Sequence, residues 1–245
     1  MFRLCGINCA RLHPAAASGS IAMDTHSNTT HCSMVLLQAH QLEAMAALLG
    51  AAFSQHEAPA RAVGQTHAEI ANMVRSLGAK AVAGQLTMVA LNPAGEMLGV
   101  VLADDFACPP EQDLATVCPS FAPIGALLDA LDNDYRAGKQ IVPGQIVHLF
   151  MIGVAHHVNG LGLAQKLIRA TLANAGARGY RVALAEATGA ASQHVLGKLG
   201  FLPVRQIEYQ NFVFHGKTPF AGITEVPAVV LMECVDLPAP VKWPG

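Results

Sequence analysis

Apolar positions recur in two rhythms along the chain, and the changes of rhythm mark its elements. "SMVLLQ" (33–38) reads as a short strand. "HQLEAMAALLGAAF" (40–53) switches to helical spacing and puts Leu42, Met45, Leu48 and Leu49 on one face. Thr66 followed three residues later by Glu69 is a capping box. It predicts a helix running to about Leu77, with Gly78 as its stop. "QLTMVALN" (85–92) and "MLGVVLAD" (97–104) are β-rich, and the turn chemistry of "NPAGE" between them predicts a hairpin. Residues 107–145 read as an insertion, irregular through "CPPEQ" and "CPSFAP" and then helical in "IGALLDALDNDYRAG". Insertions of this kind often shape binding clefts.

"IVHLFMIGVA" (146–155) is apolar almost throughout, which predicts a central strand buried on both faces. "LGLAQKLIRATLANAG" follows with helical periodicity. Leu161, Ala164, Leu167, Ile168 and Leu172 are expected to face inward, and Gln165, Lys166 and Arg169 outward. Next come a strand in "YRVALAEAT" (180–188) and a short helix in "ASQHVLGKLG" (191–200) that ends at Gly200. "LPVRQIEYQNFVF" and "AVVLMECV" read as two closing strands. Strands and helices alternate in the middle of the chain, with hairpins outside. The pattern predicts an α/β fold with a central mixed sheet flanked by helices. It is expected to occupy residues 32–245 as one domain, with 1–31 as a disordered or processed tail.

Composition narrows the function classes. At 52% hydrophobic and 13% charged residues the chain is not of the disordered class. A formal charge of −2 with no basic run gives no electrostatic reason to expect nucleic acid or an anionic membrane as partner. No apolar run approaches the roughly 18 residues of a membrane span. Cys5, Cys9, Cys32, Cys108, Cys118 and Cys234 are irregularly spaced, as expected of reduced thiols in a cytoplasmic protein. Cys5 and Cys9 lack a second half-site, and His148, His156 and His157 have no acid or third ligand at useful spacing, so no metal is expected. Nothing in the pattern sets an oligomeric state.

Gly160 and Gly162 stand where the apolar run gives way to the helical pattern, in "VAHHVNGLGLAQKL" (154–167). A strand, a tight turn and a helix start make an anion site, because free N–H groups and the helix dipole point the same way. Glycine lets a phosphate approach the backbone. The run matches neither the P-loop pattern nor Gly-x-Gly-x-x-Gly.

Gly-x-Gly-x-Ala followed by an amphipathic helix, a strand, a short helix and "KLGF" (Lys198 to Phe201) resembles the GNAT superfamily of N-acetyltransferases. Within it, "AFSQHEAPA", "NPAGEMLGVVL" and "NGLGLAQKL" are most similar to the arylalkylamine and dopamine N-acetyltransferases of insects. The resemblance covers roughly 33–236. It implies an acetyl-CoA-dependent transfer of an acetyl group to a small amine, such as an arylalkylamine or a polyamine. It implies that Val158, Asn159, Gly160, Leu161, Gly162 and Ala164 offer amides to the pyrophosphate. The strand bearing Ile152 and Val154 would pair with the pantetheine arm. His157 stands where the superfamily has Gln or Arg three residues before the first glycine, and it contributes a backbone amide.

For catalysis the resemblance implies Glu57 as base, from "EAP" in place of "EP", with Thr188 and Ser192 as assisting hydroxyls. Leu196 occupies the position where many members of the superfamily carry a tyrosine acid, which leaves Tyr135 and Tyr209 as candidate acids. Each residue also has a plain structural reading: Glu57 as a loop acid, Ser192 as a helix cap, Thr188 as a strand-end hydroxyl. Two alternative functions stay open, a peptide or protein N-acetyltransferase and a non-catalytic acyl-CoA-binding sensor module.

Overall fold

The computed structural model describes residues 32–237. The expected tail at 1–31, with Cys5 and Cys9, lies outside the described residues. Among the described residues seven strands form one sheet: β1 (Ser33–Leu36), β2 (Met88–Leu91), β3 (Met97–Asp105), β4 (Ile146–Val154), β5 (Val182–Ala187), β6 (Leu202–Glu208) and β7 (Ala228–Val235). Their order is β1-β2-β3-β4-β5-β7-β6. β4 is therefore central, as its nearly continuous apolar run predicts. It pairs antiparallel with β3 and parallel with β5, and every other pair is antiparallel.

Helices α1 (Leu42–His56), α2 (Ala58–Ala62), α3 (His67–Gly84), α4 (Leu114–Val117) and α5 (Ala122–Arg136) cover one face. Helices α6 (Leu163–Ala177) and α7 (Ala190–Lys198) cover the other. The sheet is thus largely apolar on both sides. A β-bulge in β4 offsets the pairing with β3, since Leu102 opposes Met151 while Ala103 opposes Leu149. Phe150 is the extra residue. It bends β4 and puts Phe150 and Met151 on the same face, toward α1 and α3.

Several boundaries depart from expectation for identifiable reasons. α3 begins at the Thr66–Glu69 capping box but runs past Gly78 to Gly84. Gly78 is a contact point: a Cβ there would stand 3.0 Å from the Leu42 side chain, so α1 crosses α3 closely at this position. α6 begins at Leu163, because Gly162 adopts a left-handed φ of 75° and breaks the helical register before it. Leu161 consequently points outward, 48% exposed, and Leu163 takes the inward place. Ala164 is half-buried, while Leu167, Ile168 and Leu172 are buried as expected. The strand expected from Gln85 starts at Met88, and Thr87 before it exchanges hydrogen bonds with Ala103. The strand expected through Phe214 ends at Glu208, where Tyr209–Asn211 coils into a single helical turn. Phe212 then stacks on Phe220.

α1 meets α3 through Gly50. A Cβ at Gly50 would lie 2.9 Å from the backbone oxygen of His67, which cannot rotate away. Gly50→Val is expected to separate the two helices and cost roughly 1–3 kcal/mol, the usual penalty of overpacking. A fall in the urea midpoint at unchanged slope checks this.

Candidate active site

Parallel pairing between β4 and β5 lasts for only three residue pairs: Ile146 with Val182, Val147 with Ala183 and His148 with Leu184. Beyond them β4 continues to Val154 along β3, and β5 continues to Ala187 along β7. The two strands part, so their facing backbone edges, Leu149–Val154 and Ala185–Ala187, have no strand between them among the described residues. A wedge that opens at the carboxyl ends of parallel strands is where open α/β sheets place ligands.

The glycine turn stands at the wide end of this wedge. After β4 the chain makes a single helical turn, His156–Val158, with Val158 buried and His156 and His157 exposed. Gly160 and Gly162 both take left-handed φ angles, 78° and 75°, which glycine adopts without strain. Asn159, Gly160, Leu161 and Gly162 are exposed, and a Cβ on either glycine would meet nothing within 4 Å. Among the described residues, nothing accepts a hydrogen bond from the amides of Gly160, Gly162, Leu163, Ala164 or Gln165. They face open space at the start of a 15-residue helix, with the positive end of its dipole behind them. The Leu161 amide is turned inward, toward the Val158 oxygen at 3.4 Å. Ile152 and Val154 sit on the free stretch of β4, with side chains packed toward α6 and α7.

Glu57 lies at the same end of the sheet. The local sequence explains its pose: it ends α1, leaves the helix in an extended conformation and becomes the N-cap of α2, where Pro59 fills the first turn. One carboxylate oxygen accepts from the Ala60 amide. The Thr188 hydroxyl, just past the end of β5, lies beside the carboxyl. Burial is the largest influence on Glu57 and raises its pKa to about 7. The Thr188 and Ala60 hydrogen bonds oppose that rise, and Glu225 adds to it. A carboxyl poised near neutrality can both take and release a proton at working pH. Tyr209 is buried and donates from its hydroxyl to the Thr188 backbone oxygen at 2.7 Å. Burial and the nearby Glu57 hold this phenol neutral. His56 stacks with His156 at 6.1 Å between ring centres, which ties the Glu57 corner to the glycine turn.

Ser192 stands apart from this pair in its bonding. Its hydroxyl donates to the Gly189 oxygen at 2.9 Å and accepts from the Gly189 amide, closing the first turn of α7. Tyr135 donates to Glu233 at 2.5 Å.

A second polar cluster lies around His148. His148, on β4, makes contacts of 3.2 Å to Asp104 through Nδ1 and 2.8 Å to Glu186 through Nε2. Burial opposes charge on the ring, but Glu186 and Asp104 outweigh it and hold its pKa well above the ordinary value. His148 is therefore an imidazolium donating to both acids. The available signal was a histidine and a glutamate each set in an otherwise apolar strand, "IVHLFMIGVA" and "VALAEA". Among the described residues no group of three or more His, Cys, Asp or Glu is arranged to hold a metal ion. Nor is any described helix long and apolar enough to cross a membrane.

The chain has the GNAT acetyltransferase fold. No protein-family model matches the sequence. Among solved structures, arylalkylamine N-acetyltransferase 2 from Aedes aegypti shares 23% identity at a TM-score of 0.68, over 83% of this chain and 98% of its own. A polyamine N-acetyltransferase of Drosophila melanogaster shares 16% at 0.65, over 83% and 99%. The C-terminal condensation domain of Ebony, solved with beta-alanyl-dopamine, shares 15% at 0.77, over 84% and 100%. At such identities the likeness establishes the fold.

The raised pKa of Glu57 makes a stability prediction. The folded protein holds this proton more tightly than the unfolded chain, so ionised Glu57 weakens folding as pH climbs from about 4.5 toward 7. Glu57→Gln removes that penalty. Its thermal midpoint relative to the parent is expected to rise between pH 5 and pH 8. An equal offset at both pH values would show that the carboxyl titrates normally.

Proposed function

We propose that the protein is an acetyl-CoA-dependent N-acetyltransferase acting on a small amine. The observation that carries this reading is the wedge between β4 and β5, flanked at its wide end by unpaired amides on one side and by the Glu57–Thr188 pair on the other. The free edge of β4, including Ile152 and Val154, can pair with the amides of a pantetheine arm. The amides of Gly160, Gly162 and Ala164 fit a pyrophosphate, because the space before them is open and the helix dipole favours negative charge. Val158, Asn159 and Leu161 fix the shape of the turn, with their amides bonded within it, and His157 lends an exposed surface beside it.

Acetyl-CoA supplies the acetyl group as a thioester. An amine reaches the site as an ammonium and must lose a proton before it can attack the carbonyl carbon. Glu57, with a pKa near 7, takes that proton directly or through one water. The nitrogen–carbon bond forms, the carbon–sulfur bond breaks, and the thiolate is protonated from solvent. Thr188 holds the Glu57 carboxyl in place, Tyr209 holds Thr188, and Ser192 keeps α7 anchored beside them. The likeness to a condensation domain solved with beta-alanyl-dopamine favours a second reading, a condensation on a small amine.

Glu57→Gln is expected to lower kcat by roughly 10² to 10⁴, the range of general-base assistance, with acetyl-CoA affinity unchanged. The loss shrinks at high pH, where more of the amine is already neutral. Thr188→Ala removes a bond that lowers the Glu57 pKa, so the acid limb of the pH–rate profile moves to higher pH at a smaller cost in kcat. Ser192→Ala costs less still. Gly162→Val places a β-branched side chain at a left-handed φ before the amides and is expected to weaken acetyl-CoA binding at least tenfold. A thiol-release assay over a panel of amines and peptides, with products identified by mass, checks all four. Acetyl-CoA binding without turnover on any of them would favour the sensor reading.

A further inference from the structure

On the α3 and α5 side of the sheet a cavity of about 150 Å³ lies outside the Glu57 corner. Neither Glu57 nor Thr188 lines it. Its apolar wall includes three aromatic rings, Phe106, Phe121 and Phe150. A cavity of this size admits a ligand about as large as a benzene ring.

Charged groups reach it from five elements: Lys80 from α3, Asp104 and Asp105 from β3, His148 from β4, Glu186 from β5, and Asp129, Asp132 and Arg136 from α5. Most are satisfied within the protein. Asp104 takes Lys80 at 2.8 Å and His148. Asp105 accepts from Gly144, Tyr180 and Ala107. Arg136 donates to the Phe106 oxygen and lies over its ring. Two oxygens remain. Oε1 of Glu186, whose side chain is 2% exposed, and Oδ1 of Asp132 are buried without a hydrogen-bond donor among the described residues. Asp132 and Glu186 adjoin one another, and Asp129, at the mouth, has no ion pair among the described residues. A buried carboxylate oxygen with no donor is costly, so this pair needs a proton or a cation.

We propose that this cavity is a binding site for a small organic cation, a primary ammonium or guanidinium on an apolar body, whose charged end bridges Asp132 and Glu186 while its body packs among the phenylalanines. Without a ligand the pair keeps a shared proton. Burial and the charge of Glu186 raise the pKa of Asp132, so its carboxyl stays protonated and donates to Glu186. The cation takes the place of that proton, which leaves to solvent. Binding therefore strengthens as pH rises through the range in which Asp132 ionises. The site stands whether or not the chain transfers acyl groups. Under the acetyltransferase reading, Glu186 is two residues before Thr188, which follows the end of β5, roughly 6.6 Å away for extended chain. The cation held there is then the non-reacting end of the acceptor.

Titration calorimetry with 2-phenylethylamine on the full chain, without acetyl-CoA, tests this, with uncharged 2-phenylethanol as the control. The amine is expected to bind at least tenfold more tightly than the alcohol. Heats compared in phosphate and Tris buffers should show release of about one proton per site. Asp132→Asn should abolish the proton release and weaken binding at least tenfold. Leu128→Trp, which fills the cavity from α5 and leaves the acids intact, should also weaken it. Equal affinity for the alcohol, absence of amine binding at millimolar concentration, or unchanged binding in both variants overturns the proposal. Loss of binding in Glu57→Gln alone also overturns it and assigns the amine to the Glu57 corner. Because no acyl donor is present, failure of acetyl transfer leaves these outcomes intact.

Discussion

The parting of β4 and β5 is the constraint on which the rest of the structure depends. Two parallel strands that hydrogen-bond along their whole length leave no room for a ligand between them. Here the pairing stops at His148 and Leu184. The bulge at Phe150 bends β4 toward β3, and β7 claims the far edge of β5. Gly153, with Leu48 and Leu49 of α1 against it, lets the helix lie close on the bent strand. The candidate active site follows from this divergence: free backbone edges, a helix that begins at the wide end, and a loop from α1 that arrives beside the end of β5.

The α1–α5 face carries two buried carboxylates whose surroundings push them in opposite directions. Glu57 has no cation close enough to offset its burial, so its proton is held up to about pH 7. Glu186 is buried more deeply, yet the His148 imidazolium and the hydrogen bond with Asp132 together outweigh desolvation and keep it ionised. The difference is one of partners rather than of depth. Glu57 is suited to moving a proton, and Glu186 to holding a fixed charge.

Much of the architecture was legible because period and length are local properties. The apolar run of β4, the Thr66–Glu69 capping box and the "NPAGE" hairpin each lie within a few residues of the feature they specify. Gly78 was misread because a glycine in a helical pattern marks either a stop or a close contact, and only the partner, Leu42, distinguishes them. Leu161 was misplaced because the helical register runs backward through Gly162 only if that residue is helical. The Glu57–Thr188 contact was reached through resemblance, since nothing local joins residues so far apart in the chain. The His148 cluster draws on β3, β4, β5 and α5 at once. Its sequence signal was a polar residue in an apolar strand, which announces a partner without naming it.

The account rests on the wedge and the glycine turn acting together on one ligand. Amide hydrogen exchange followed by mass spectrometry, with and without acetyl-CoA, tests this directly. The account predicts slowed exchange confined to peptides spanning 149–165 and 185–188, where the free strand edges and the start of α6 lie. Unchanged exchange in those peptides, or protection centred elsewhere on the sheet, would contradict it.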